Sequence, residues 1–81
     1  MSHEIPAEIQ ALPEPFHRLY LDLPVIVTRE EIFAKAPVYR PRTMANLDSQ
    51  GKGPAGKLTL GSKVCYPREQ IVLWLAAQIR K

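Results

Sequence analysis

Two residues ten apart, Pro41 and Gly51, delimit what the middle of this chain can become. Proline lacks an N–H and has a fixed φ, so Pro41 suits the first position of a helix, where that donor would be unpaired anyway. Gly51 suits the residue just past a helix, where the backbone turns left-handed. Between them Met44 and Leu47, three apart, share one face and leave Arg42, Thr43, Asn46 and Gln50 to the other. The spacing predicts a short helix from about Pro41 to Gln50 with a polar outer side. Beyond it, Gln50-Gly51-Lys52-Gly53-Pro54 forms a basic turn. Lys57-Leu58-Thr59-Leu60 and Val64-Cys65-Tyr66 then alternate around Gly61-Ser62-Lys63, which predicts a tight hairpin with Leu58, Leu60 and Val64 on the core.

The flanking segments fit around this centre. Pro24-Val25-Ile26-Val27 is a short β-branched run. Thr28 and Glu31 then make a reciprocal capping box that starts a helix, with Ile32, Phe33 and Ala36 as its inward face and Pro37 ending it near Lys35. Val38-Tyr39-Arg40 is the turn into the second helix. Pro67 opens a closing helix, with Glu69 in its first turn and Arg80 and Lys81 in its last, as the helix dipole favours. Ile71, Trp74, Leu75 and Ile79 form its core-facing stripe, with Trp74 as the anchor. Residues 1–24 form a proline-rich arm and residues 25–81 the domain proper. Four prolines leave the arm room only for helices near Ala7–Leu12 and Glu14–Tyr20. Its apolar residues are too many for a free tail, so it packs on its own domain or, as the alternative, on a neighbouring copy.

Composition excludes several classes. At 81 residues there is room for one domain, which buries only about 60% of the surface its unfolded chain exposes. Apolar residues at 46% and charged residues at 23% exclude wholesale disorder. The single cysteine, Cys65, excludes an internal disulfide. With only His3 and His17 it cannot form a structural zinc site, so it reads as a small buried hydrophobe. His17 reads as a surface histidine. No apolar run nears the roughly 20 residues of a membrane helix, and the N-terminus lacks a signal-peptide pattern. The expectation is a cytoplasmic, nucleoid-associated protein with no membrane contact. No phosphate loop, nucleophile–base pair or converging carboxylates stand out. The chain is therefore expected not to be an enzyme and to need neither cofactor nor metal.

Charge is unevenly divided: residues 1–37 carry three Lys/Arg and six Asp/Glu, net −3, whereas residues 38–81 carry eight and two, net +6. The second half is the one that would face a polyanion. Within it, side chains suited to DNA converge. Arg bonds bidentately to guanine, Asn to adenine, and Thr touches a thymine methyl or a phosphate, in a major groove that admits one helix. Arg40, Arg42, Thr43 and Asn46 supply that set, Gln50 is a further DNA-binding candidate on the same outward face, and Lys52, Lys57 and Lys63 are candidates for phosphate or minor-groove contacts. Helix, turn, helix and basic hairpin is the order of a small winged helix-turn-helix, an α+β fold of three helices with a β-hairpin wing.

From about Val25 to Arg80 that order resembles the winged helix-turn-helix family of AlpA-type phage regulators and excisionases, relatives of the MerR DNA-binding domain. Thr28-Arg29-Glu30-Glu31, Arg42-Thr43-Met44-Ala45-Asn46-Leu47, Gln50-Gly51-Lys52-Gly53-Pro54, Leu60-Gly61-Ser62-Lys63-Val64-Cys65-Tyr66-Pro67 and Ile71-Val72-Leu73-Trp74-Leu75 carry the likeness. The chain departs from it at Ala36-Pro37-Val38-Tyr39-Arg40-Pro41, where many relatives have a glycine-containing turn, and in its arm. The resemblance implies a recombination directionality factor of a mobile genetic element. Such a protein binds double-stranded DNA, self-associates along it, bends it and biases an integrase toward excision. A small transcriptional regulator is the alternative with the same surface. A protein-interaction module is the alternative of another class.

Overall fold

The computed structural model describes residues 5–79. Five helices and a three-stranded antiparallel sheet make an α+β fold. The capping box forms as its sequence dictates. The Thr28 hydroxyl accepts the Glu31 N–H at 3.2 Å, and the Glu31 carboxylate accepts the Thr28 N–H at 2.9 Å. That pair launches α3 (Arg29–Lys35), which follows directly on β1 (Ile26–Thr28). After the turn, Pro41 opens α4 (Pro41–Ser49). Gly51, at φ +74°, ends it in a double closure: Gly51 N–H bonds to the Asp48 carbonyl at 3.0 Å and Lys52 N–H to the Leu47 carbonyl at 2.8 Å.

The hairpin pairs β2 (Leu58–Leu60) with β3 (Lys63–Pro67) across the two-residue turn Gly61-Ser62, and β3 also pairs with β1, giving the order β1-β3-β2. Register decides which side chains point inward. Val27 stands opposite Tyr66, and both are fully buried. Leu58 pairs with Cys65 and Leu60 with Lys63, which puts both leucines on the other face, out of phase with Tyr66. They are 41% and 50% exposed, so the expectation that they cover the core fails, and Val64 alone of the three packs against it. Cys65 is buried, as expected.

Pro67 closes β3 and caps α5 (Arg68–Ala76), which is shorter than expected. Ile71 and Leu75 are buried as anticipated, but Ile79 lies past the helix and is largely exposed. Val72, off the expected stripe, is fully buried. The reason is that α5 packs on the sheet and on the arm helices at once, so its buried stripe widens. Trp74 is only half-buried at the rim of the core. Arg80 and Lys81, expected to finish this helix, lie outside the described residues.

The arm forms α1 (Ala7–Gln10) and α2 (Glu14–Asp22) and folds back on its own domain. Ile9, Tyr20 and Leu23 join Val27, Ile32 and Met44 in one core. Arg68 fastens α2. Its guanidinium lies 4.2 Å from the centre of the Tyr20 ring and donates to the Leu23 carbonyl at 2.9 Å, an otherwise unpaired group just past the helix end. His17 sits between Glu14 Oε1 at 3.2 Å and the Gln10 carbonyl at 3.1 Å, which ties α2 to α1.

Candidate nucleic-acid interface

Helix α4 is two-sided. Met44 is fully buried, while Arg42, Thr43, Asn46 and Gln50 are exposed. At 100° per residue those four positions share the outward half of the helix, so the sequence spacing produces one polar face. Arg40 precedes it as the N-cap residue, its guanidinium 5.6 Å from the centre of the Phe33 ring. That stacking on α3 draws Arg40 toward the helix pair and leaves Arg42 as the freer arginine.

Of the lysines, Lys52 continues from the end of α4. Its backbone is pinned on both sides, by the N–H bond to Leu47 and by the Trp74 indole, which donates to the Lys52 carbonyl at 3.0 Å, while its side chain stays exposed. Trp74 also packs on Tyr39, ring centres 5.1 Å apart, so the half-buried indole fixes both the entry and the exit of α4. Lys57 directly precedes β2 and Lys63 opens β3, and both are exposed. Lys63 Nζ lies 3.9 Å from Glu30 Oε2, a solvated pair that holds it weakly. The structure thus gathers Arg40, Arg42, Thr43, Asn46, Gln50 and Lys52 on one helix and its ends, and sets Lys57 and Lys63 on a second element.

Sequence reading missed the polar cluster beneath this helix. Asp48 stands one turn after Met44 on the inward side, and its side chain is 7% exposed. Arg29 Nη2 donates to Asp48 Oδ2 at 2.6 Å and Arg29 Nε to the Tyr66 hydroxyl oxygen at 3.0 Å, and the Tyr66 hydroxyl donates to the same Asp48 oxygen. The cluster is closed: among the described residues no buried side-chain nitrogen or oxygen lacks a partner. Burial, and after it the bond to Asp48, pushes the Tyr66 hydroxyl up to about 12, so it stays protonated and keeps donating. Burial works against the Arg29 charge, but the hydrogen bonds to Asp48 and Tyr66 outweigh it and hold the guanidinium above its ordinary value. A signal for this was present. An aspartate on the inward stripe, in the last turn where the helix dipole disfavours a negative charge, requires a cation.

Among the described residues no helix is long and apolar enough to cross a membrane, and no three His, Cys, Asp or Glu side chains are grouped to hold a metal ion. No family profile, curated protein or solved structure matches the chain.

Proposed function

We propose that this chain is a winged helix-turn-helix protein that binds double-stranded DNA sequence-specifically and performs no catalysis. In this reading α3 and α4 are the helix pair, α4 the recognition helix and the β2–β3 hairpin the wing. The observation that carries it is the outward face of α4. An arginine, a threonine, an asparagine and a glutamine stand together there, backed by a buried Met44 and flanked by exposed lysines. Arg42 and Asn46 are the base-reading residues, able to bond to guanine and adenine edges; Thr43 and Gln50 supply neighbouring contacts. Lys52, Lys57 and Lys63 contact phosphates and position the helix.

An excisionase-like role is the proposed use of this surface. Copies on adjacent sites, each with its helix in the major groove and its wing against the backbone, would bend the duplex for an integrase. A transcriptional regulator would use the same surface on an isolated operator. The number of sites protected in a footprint, and any dependence of recombination on the protein, separate the two.

The test of DNA binding itself is a salt titration. With Arg42 reading bases and Arg40 engaged on Phe33, three cations (Lys52, Lys57 and Lys63) are left to neutralise phosphates. Each contributes about −0.9, so log K against log salt should fall with a slope of roughly −3. Binding that ignores salt, or none to any duplex in a randomised pool, rejects the proposal.

A further inference from the structure

We infer that Arg29, Asp48 and Tyr66 are positioning residues that fix the angle of α4, and through it base selectivity, without touching the DNA. The inference rests on the reading of α4 as a recognition helix. The three residues come from three elements: the first residue of α3, the last turn of α4 and the central strand β3. Two of them are anchored independently of α4. Tyr66 is held in register opposite Val27, and Arg29 follows directly on the capped, sheet-paired Thr28. Only Asp48 belongs to α4.

Apart from this cluster, α4 is held by the fully buried Met44 within the helix and, at its entry and exit, by Trp74 against Tyr39 and the Lys52 carbonyl, contacts to the flanking residues rather than to the helix itself. An apolar side chain resists withdrawal, but its contacts are non-directional and permit rotation and tilt. Two donors converging on Asp48 Oδ2 from separate elements do not. Gly53 lies close against the other carboxylate oxygen, which occupies the room that a side chain at this position would fill. The carboxylate is thus enclosed by donors on one side and by backbone on the other. Recognition surfaces must be held to within about 0.5 Å and 10–20° to work, and Arg42 and Asn46 inherit their aim from this seat.

The variants Tyr66→Phe, which removes one oxygen, and Asp48→Asn, which keeps the shape and removes the charge, test the inference through two readings. In selection from a randomised duplex pool, both variants should bind bulk duplex within about twofold of the parent. The preference for selected over random sequence should fall about tenfold, the worth of a weakened bidentate contact. In amide hydrogen exchange, residues 43–50 should exchange about tenfold faster while α5 is unchanged. Arg29→Lys, which keeps charge but loses the fork, should match Tyr66→Phe. Should Asp48→Asn fail to fold, Tyr66→Phe carries both readings. Unchanged selectivity in a parent that binds DNA overturns this inference alone, as does acceleration shared equally by α4 and α5, which marks a merely stabilising cluster. A parent that binds no duplex overturns the proposed function and the selectivity claim with it.

Discussion

Ile9→Ala tests whether the arm is part of the fold. Ile9 belongs to a four-residue helix with no side-chain cap, too short to persist alone, yet it is fully buried in the common core. The substitution removes three carbons, each worth about 0.8 kcal/mol when buried, so the transfer cost is roughly 2.4 kcal/mol. The cavity left behind raises this to about 3–4 kcal/mol. A domain of 81 residues has roughly 4–12 kcal/mol to lose, so the change removes a large share of it. With a slope of about 1–1.5 kcal/mol per molar urea, the midpoint should drop by about 2–4 M, followed through the emission of Trp74, the single tryptophan. Leu21→Ala, at a 56% exposed position of α2, should stay within about 0.5 kcal/mol of the parent. If the two substitutions move the midpoint equally, the arm does not contribute to the core and the argument is wrong.

Arg42→Ala and Asn46→Ala should each cost about 1–3 kcal/mol on the selected site and relax one base position, whereas Lys63→Ala should weaken all sequences alike; the reverse pattern in quantitative binding assays would misplace the recognition helix. Trp74→Ala should lower stability by about 2–3 kcal/mol, less than for a fully buried indole, through loss of the Tyr39 packing and the Lys52 bond. A variant of undiminished stability that loses DNA affinity would place the indole on the contact surface instead. For Tyr66, the folded state holds its proton to about 12 against an ordinary 10.0, so its contribution is complete below pH 10 and lost as pH rises from 10 to 12. Tyr66→Phe should show a smaller drop in melting temperature across that window, and identical declines would contradict the assignment.

What the sequence made legible was local. The Thr28–Glu31 box, Pro41, Gly51 and the turn at Gly61 act within a few residues, and each lies where its chemistry requires. The outward face of α4 was legible for the same reason, because 3.6-residue periodicity is intrinsic to the helix. Leu58 and Leu60 were misread because alternation names two faces and does not say which is inward; the pairing of β3 with Val27 decides that. Ile79 was assigned to a helix that stops at Ala76. The run at Val25–Val27 gave no hint that its partner is β3. The Arg29–Asp48–Tyr66 cluster joins residues up to 37 positions apart, so the local pattern marks Asp48 as needing a cation but cannot name Arg29 or Tyr66 as its partners.

The position of β3 between β1 and β2 sets the order of events during synthesis. Its earliest partner, β1, is made well before it, and Arg68, which fastens α2, lies 48 positions from Tyr20. Closure therefore depends on distant segments, and folding should take on the order of milliseconds or longer rather than the microseconds of a local helical bundle. On the ribosome the wait is longer still. At about 5–20 residues per second, Ile9, Tyr20 and Leu23 stay without their α5 partners for about 2–13 s after they emerge. The four prolines of residues 1–24 have no N–H to donate to a strand ladder, which makes the temporarily bare apolar segment a poor template for pairing with other chains in that interval.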